Sequence, residues 1–195
     1  EDMLIAQENG YTIRVLGSVE SKENGLQAWV GPCLIPNRYL LSQLRGGLEA
    51  AYLQYENKTS TVFSGSGTTR EIVVRGMLRD LDQLHREGNF GHAELVPARF
   101  LPPDEQAGKY YLRVSLLDFV STMSKIMTIL AEQNVEIHSF FQRKLPARSA
   151  EMGKEASEAI LFTKPLPQSV LRTVLDKIHG DVKLAGVKSC FRYES

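Results

Sequence analysis

The 195-residue chain carries 23 basic and 23 acidic residues, so its formal charge is zero, and 43% of it is hydrophobic, enough to build a globular core. Like charges never run beyond two or three residues, which argues against the basic stripe of a nucleic-acid binder. No apolar stretch approaches the roughly 18 to 20 residues of a membrane span and no secretory signal is visible, so a cytoplasmic protein without membrane or nucleic-acid partners is expected.

The first eleven residues, EDMLIAQENGY, have helical character and close at Gly10 as a C-terminal cap. The chain thus opens inside a helix, which suggests a piece of a longer protein. Strands are expected at Thr12 to Val19 and Leu26 to Ile35, joined by the turn SKENG, with Gly25 supplying a positive backbone angle. A helical turn is expected within Leu40 to Gly46, then strands Glu49 to Tyr55 and Ser60 to Ser64 around the turn ENK. The loop GSGTTR leads into a helix from about Glu71 to Glu87, where Ile72, Met77, Leu78, Leu81 and Leu84 share a broad face.

Proline punctuates VPARFLPPDEQAGK, and a linker at 101–108 is placed there, between a first domain at 1–100 and a second at 109–195. In the second, Tyr110, Leu112, Val114 and Leu116 alternate as a half-buried strand, and Met123, Ile126, Met127 and Leu130 recur at helical spacing. Val135, Ile137, Ser139 and Phe141 form another alternating strand. Ala159, Leu161 and Thr163 form a third, after a polar loop from Pro146 to Glu155. A helix beginning near Pro167 carries Val170, Leu171, Val174, Leu175 and Ile178, and a last strand covers Lys188 to Tyr193. The order βαββαβ predicts a four-stranded antiparallel sheet with both helices on one face, and the whole chain reads as α+β.

Cys33 and Cys190 are far apart and lack CxxC spacing, so two buried thiols are expected in a reducing compartment. His85, His92, His138 and His179 have no metal-ligand spacing, and no serine or cysteine has a visible base partner. Neither a metal site nor a catalytic residue is assigned in this chain.

Asp118 to Ile137, DFVSTMSKIMTILAEQNVEI, resembles the first loop and helix of ACT domains, βαββαβ modules that bind amino acids and regulate metabolic enzymes; EAILFTKP, Glu158 to Pro165, resembles their third strand and the turn after it. In the first half NGYTIRVLG, CLIP, FSGSGTT and the helix ending RDL resemble the later catalytic domain of homoserine dehydrogenase, a family in which an ACT domain commonly follows. The resemblance covers essentially the whole chain. It implies a mixed-sheet catalytic-domain remainder serving dimerisation and the substrate side, then a ferredoxin-like regulatory domain. The intact parent would interconvert aspartate semialdehyde and homoserine with NAD(P), on the route to threonine and methionine. This chain alone would hold no cofactor, because the Gly-rich nucleotide-binding turn and the catalytic lysine lie upstream of its first helix.

By the same resemblance Gly65 and Gly67 match glycines of a loop that closes over the cofactor. The residues after them depart from the family, as do Tyr39, Leu40 and Glu49. An alternative is a plain turn in which Thr68 or Thr69 caps the helix. Asp118 and Ser121 match positions of the effector loop, but Val120 and Ser121 replace its Pro and Gly, and the Ser121 side chain would project where an effector needs close backbone approach. Capping of the helix by Asp118 or Ser121, with Phe119 packing locally, is favoured on that ground. A homo-oligomer and an amino-acid effector are the implied partners. A stand-alone amino-acid-sensing or assembly module without dehydrogenase chemistry is the other reading.

Overall fold

The structure, a computed structural model, describes residues 1–67, 69–87, 97–116, 119–144, 157–180 and 186–195, with only the backbone of Phe119 and Lys144. It divides into two compact units, one of Glu1–Pro36 with Ala98–Ser195, the other of Asn37–Pro97.

The first unit begins with helix α1 (Asp2–Glu8), ended by Asn9 and by Gly10 at φ +78, as expected. Strands β1 (Tyr11–Lys22) and β2 (Gly25–Pro36) form a regular antiparallel hairpin in which Lys22 faces Gly25 across a two-residue turn. Gly25 is constrained twice: its φ is +142, and a Cβ would lie 2.6 Å from the carbonyl oxygen of Arg99. Then follow β5 (Ala107–Gly108), β6 (Tyr110–Leu116), α3 (Phe119–Glu132), β7 (Ile137–Lys144), β8 (Ser157–Thr163), β9 (Leu166–Pro167), α4 (Gln168–Gly180) and β10 (Val187–Tyr193).

The expected order β6-α3-β7-β8-α4-β10 is present, with strands in the spatial order β10-β6-β8-β7, all antiparallel. The sheet is nevertheless six-stranded rather than four-stranded. Cys33 and Leu34 of β2 pair in parallel with Arg192 and Tyr193 of β10, giving the order β1-β2-β10-β6-β8-β7 and a mixed sheet. The segment expected as a free linker at 101–108 is docked: the Leu26 N–H donates to Arg99 O and the Leu101 N–H to Leu26 O, both at 2.8 Å, and the Ala107 N–H donates to Gln27 Oε1 at 3.0 Å. The compact units are therefore cut at residues 36 and 98, not in that linker.

Two cores form, one on each face. Leu112, Val114 and Leu116 of β6 meet Met123, Ile126 and Leu130 of α3 and Leu171, Val174 and Ile178 of α4, so both long helices lie on one face as expected. On the other face Ile5 and Ala6 of α1 pack with Leu34, Tyr111, Ile160, Phe162 and Tyr193. Rings stack there, Tyr11 on Phe162 and Tyr111 on Phe191 with centroids 5.7 and 6.0 Å apart. Because both faces are covered, all seven residues of β8 are buried, not the alternate ones that the half-buried pattern predicts.

The second unit holds a 3-10 turn (Leu40–Gln43), the antiparallel hairpin of β3 (Leu48–Gln54) and β4 (Ser60–Ser66), and helix α2 (Arg70–Glu87). Among its described residues no large apolar side chain is buried; Met77, Leu78 and Leu81 on α2 and Phe63 on β4 are exposed.

Candidate functional site

The β3–β4 hairpin brings together residues that stand apart in the sequence. Glu49 and Gly65 are cross-strand partners, and Gly67 follows so closely that a Cβ there would lie 2.9 Å from Glu49 Oε2. Gly65 lies within β4, so the loop expected at GSGTTR starts later; Thr68 lies outside the described residues, and Arg70 opens α2. A dinucleotide cradle takes its phosphates at a glycine-rich turn between a parallel strand and a helix. Here the strand is half of an antiparallel pair and an exposed carboxylate sits against the glycine, so these residues do not fit NAD(P) by themselves.

At the second expected site, α3 starts at Phe119. Ser121 is thus the third residue of the helix, exposed, and not its cap; Asp118 lies outside the described residues, as does the segment from Pro146 to Glu155. Ser121 belongs to the first compact unit and Gly65 and Gly67 to the second.

Sequence reasoning missed an ionic cluster on the α1 side of the sheet. Arg113 of β6 donates from Nε and Nη2 to Asp2 Oδ1 and Oδ2, at 2.9 and 3.0 Å, and from Nη1 to Glu158 Oε1 at 2.6 Å. Ser189 Oγ and Tyr111 Oη also donate to Asp2 Oδ1, at 2.6 and 3.0 Å. Burial pushes the Asp2 carboxyl up, but the hydrogen bonds from Arg113, Ser189 and Tyr111 and the Arg113 charge outweigh it and hold it below its ordinary value. Burial and the nearby Asp2 carboxylate raise the Tyr111 phenol. Glu158 Oε2 is buried without a hydrogen-bond partner among the described residues. Its signal in the sequence was a lone arginine and a lone glutamate in otherwise apolar strands.

A second cationic feature was also missed. Arg192 of β10 lies between two rings, its Cζ 4.7 Å from the centroid of Trp29 on β2 and 5.6 Å from that of Tyr110 on β6.

Both thiols are free; burial pushes Cys33 and Cys190 up to about 12 each, Cys33 with help from the Glu194 carboxylate. Cys33 is fully buried and Cys190 half-buried, close to the expectation of two buried thiols. Among the described residues no three His, Cys, Asp or Glu side chains could hold a metal ion. No described helix is long and apolar enough to cross a membrane.

The class that these observations define is a mixed α/β protein built on a mixed sheet, whose βαββαβ part is extended by an N-terminal hairpin. The chain is homologous to homoserine dehydrogenase. The family model described as homoserine dehydrogenase matches residues 1–81. The homoserine dehydrogenase of Neisseria gonorrhoeae is 30% identical over 190 residues, which are 92% of this chain and 42% of that protein. That of Pseudomonas aeruginosa is 27% identical over 154 residues, 73% of this chain and 36% of the relative. The crystal structure of a homoserine dehydrogenase from Thiobacillus denitrificans superposes with a TM-score of 0.81 at 26% identity, covering all of this chain and 45% of that one. Homoserine dehydrogenase of S. aureus at pH 7.5 matches with a TM-score of 0.63 and 16% identity, a likeness of fold alone. The chain spans less than half the length of these relatives.

Proposed function

We propose that this chain is the C-terminal part of a homoserine dehydrogenase-like, NAD(P)-dependent oxidoreductase of the cytoplasm that interconverts aspartate semialdehyde and homoserine, and that the segment serves dimerisation and regulation without being catalytic alone. The observation that carries the reading is the superposition of the whole chain on 45% of a solved homoserine dehydrogenase. On this reading Gly65 and Gly67 touch a cofactor held chiefly by residues outside this chain. The βαββαβ part, with both helices on one face, is a divergent ACT domain, and Asp118 and Ser121 stand at its effector loop. The unburied apolar residues of α2 and β4 support a homo-oligomeric interface, because exposed apolar surface of that kind marks association sites.

A chimera tests the reading. Supplied with aspartate semialdehyde and NADPH, the chain alone turns over nothing; fused behind the preceding portion of the Neisseria gonorrhoeae homoserine dehydrogenase, it restores NADPH oxidation. A folded but inert chimera overturns the dehydrogenase reading in favour of a stand-alone assembly or sensing module. Light scattering reports a dimer or larger, and a monomer at high concentration removes the interface. Titration calorimetry with threonine or methionine shows no micromolar binding, because the Ser121 side chain crowds the approach that a glycine would leave open.

A further inference from the structure

Two of the six asparagines precede a glycine, Asn9 before Gly10 and Asn24 before Gly25. In that dipeptide a backbone nitrogen attacks a side-chain amide most readily, because glycine has no side chain to hinder the approach. The structure treats the two pairs differently. At the first, both reacting groups are held: Asn9 Nδ2 donates to Ile5 O at 2.7 Å, and the Gly10 N–H donates to Gln7 O at 3.1 Å. They close helix α1, whose Ile5 and Ala6 are anchored in the core.

At the second pair the side chain is free to react. Asn24 is exposed in the two-residue turn between β1 and β2, and among the described residues no group holds its amide. Gly25 and Lys22 form the last pair of the ladder, the first to open when a hairpin frays. The fold also requires the glycine. With φ at +142 and the Arg99 carbonyl oxygen 2.6 Å from where a Cβ would stand, a larger residue is strained there, so the nitrogen beside Asn24 stays unhindered.

We propose that Asn24 is a site of spontaneous deamidation and that Asn9 is protected from it. The Gly25 backbone nitrogen gives its proton to solvent and attacks Cγ of Asn24; a cyclic imide closes as the Cγ–Nδ2 bond breaks and ammonia leaves. Water then opens the ring. Cleavage of the new N–Cγ bond leaves aspartate in an ordinary chain. Cleavage of the original peptide bond leaves isoaspartate, whose main chain runs through Cβ and Cγ and is one atom longer. No electrons are transferred, and water is the only co-reactant. Both products add a negative charge next to Glu23. Isoaspartate also lengthens the turn just before Leu26, whose N–H donates to Arg99 O and whose carbonyl accepts from the Leu101 N–H, each at 2.8 Å. The modification therefore loosens the segment after Ala98 from the hairpin.

Trypsin separates the two sites, Asn9 in the peptide 1–14 and Asn24 in the peptide 23–38. The folded chain, kept in mildly alkaline buffer and mapped by mass spectrometry over time, deamidates at Asn24 at least about tenfold faster than at Asn9, the factor that two intact hydrogen bonds supply. In guanidinium chloride the two rates converge. Isoaspartate at position 24, detected by methylation with isoaspartyl methyltransferase, accompanies faster hydrogen exchange at Leu26 and Leu101. Asn24→Gln, whose longer side chain closes a ring slowly, keeps the exchange of fresh protein through the same incubation. Equal rates at Asn9 and Asn24 in the folded chain overturn the proposal. So does an Asn24 that persists in the folded chain while it reacts in the unfolded one, and unaltered exchange at Leu26 in modified protein overturns the loosening.

Discussion

Arg113 grips Asp2 through two parallel hydrogen bonds, Nε to Oδ1 and Nη2 to Oδ2, and so fastens the first turn of α1 to the middle of the sheet. The pair lies on the face that holds Ile5 and Ala6 against the aromatic cluster, so charge and apolar packing fix the same helix.

Asp2→Asn loses the ionic part of this attachment while keeping the shape. The Asp2 side chain is 20% exposed, so the cost is discounted to about 2 kcal/mol from the 3 to 5 of a fully buried pair. Arg113→Met costs more, about 3 to 5 kcal/mol, because it leaves the carboxylates of Asp2 and Glu158 without a cation. Urea unfolding at neutral pH ranks the two variants; equal losses would show that Glu158 bears no part of the cluster.

Acid should weaken the same contact. The Asp2 pKa is lowered on folding, so its contribution is fully present above the ordinary carboxyl value and is lost as pH falls through the lowered one. Wild-type stability therefore drops faster below about pH 4 than that of Asp2→Asn. Parallel curves for the two proteins would remove Asp2 from the acid response.

Strand β8 is buried on both faces, with Ile160 in one core and Leu161 in the other. Ile160→Ala and Leu161→Ala each cost about 2 to 5 kcal/mol, by lost transfer energy and the cavity left behind. A half-buried strand would give a large loss for one and little for the other, so denaturant midpoints separate the two descriptions.

Gly25→Ala should detach the segment after Ala98. The new methyl would meet the Arg99 carbonyl at 2.6 Å and strain a backbone at φ +142, at a cost of about 1 to 3 kcal/mol or more. Hydrogen exchange at the Leu26 and Leu101 amides, which close the bridge, speeds up first.

The cysteines give a test of packing without mutation. With both thiols pushed up to about 12, neither Cys33 nor Cys190 reacts appreciably with a disulfide reagent at pH 8 in the folded state, and both react once urea unfolds the chain. Rapid labelling of Cys33 in buffer would contradict its burial.

Most element types and their order were legible in the sequence, because helical spacing from Met123 to Leu130 and alternation from Tyr110 to Leu116 are local signals. The sixfold sheet was not. The pairing of Cys33 with Arg192 leaves no trace in either strand's own pattern, and Pro102 and Pro103 mimic a linker in a segment that is docked. The burial of Glu158, Ile160 and Phe162 was hidden for a similar reason: the helix that covers them lies at the other end of the sequence, and short alternation does not say whether the second face is wet. Among the candidate residues, Gly65, Gly67 and Ser121 were fixed by resemblance, and their geometry came only from the hairpin and the start of α3. Arg113 and Arg192 were invisible because a charged residue in a strand usually faces water, and nothing nearby names its partner.

The parallel pairing of β2 with β10 sets a timetable. As the chain leaves the ribosome, β1 and β2 can pair at once, yet the strand between β2 and β6 is the last one made. Until it arrives, the inner edge of the hairpin stays open, with Cys33 and Leu34 uncovered and ready to pair with another chain. For this protein the hazard of misassembly is concentrated in the interval before residues 187 to 193 are synthesised.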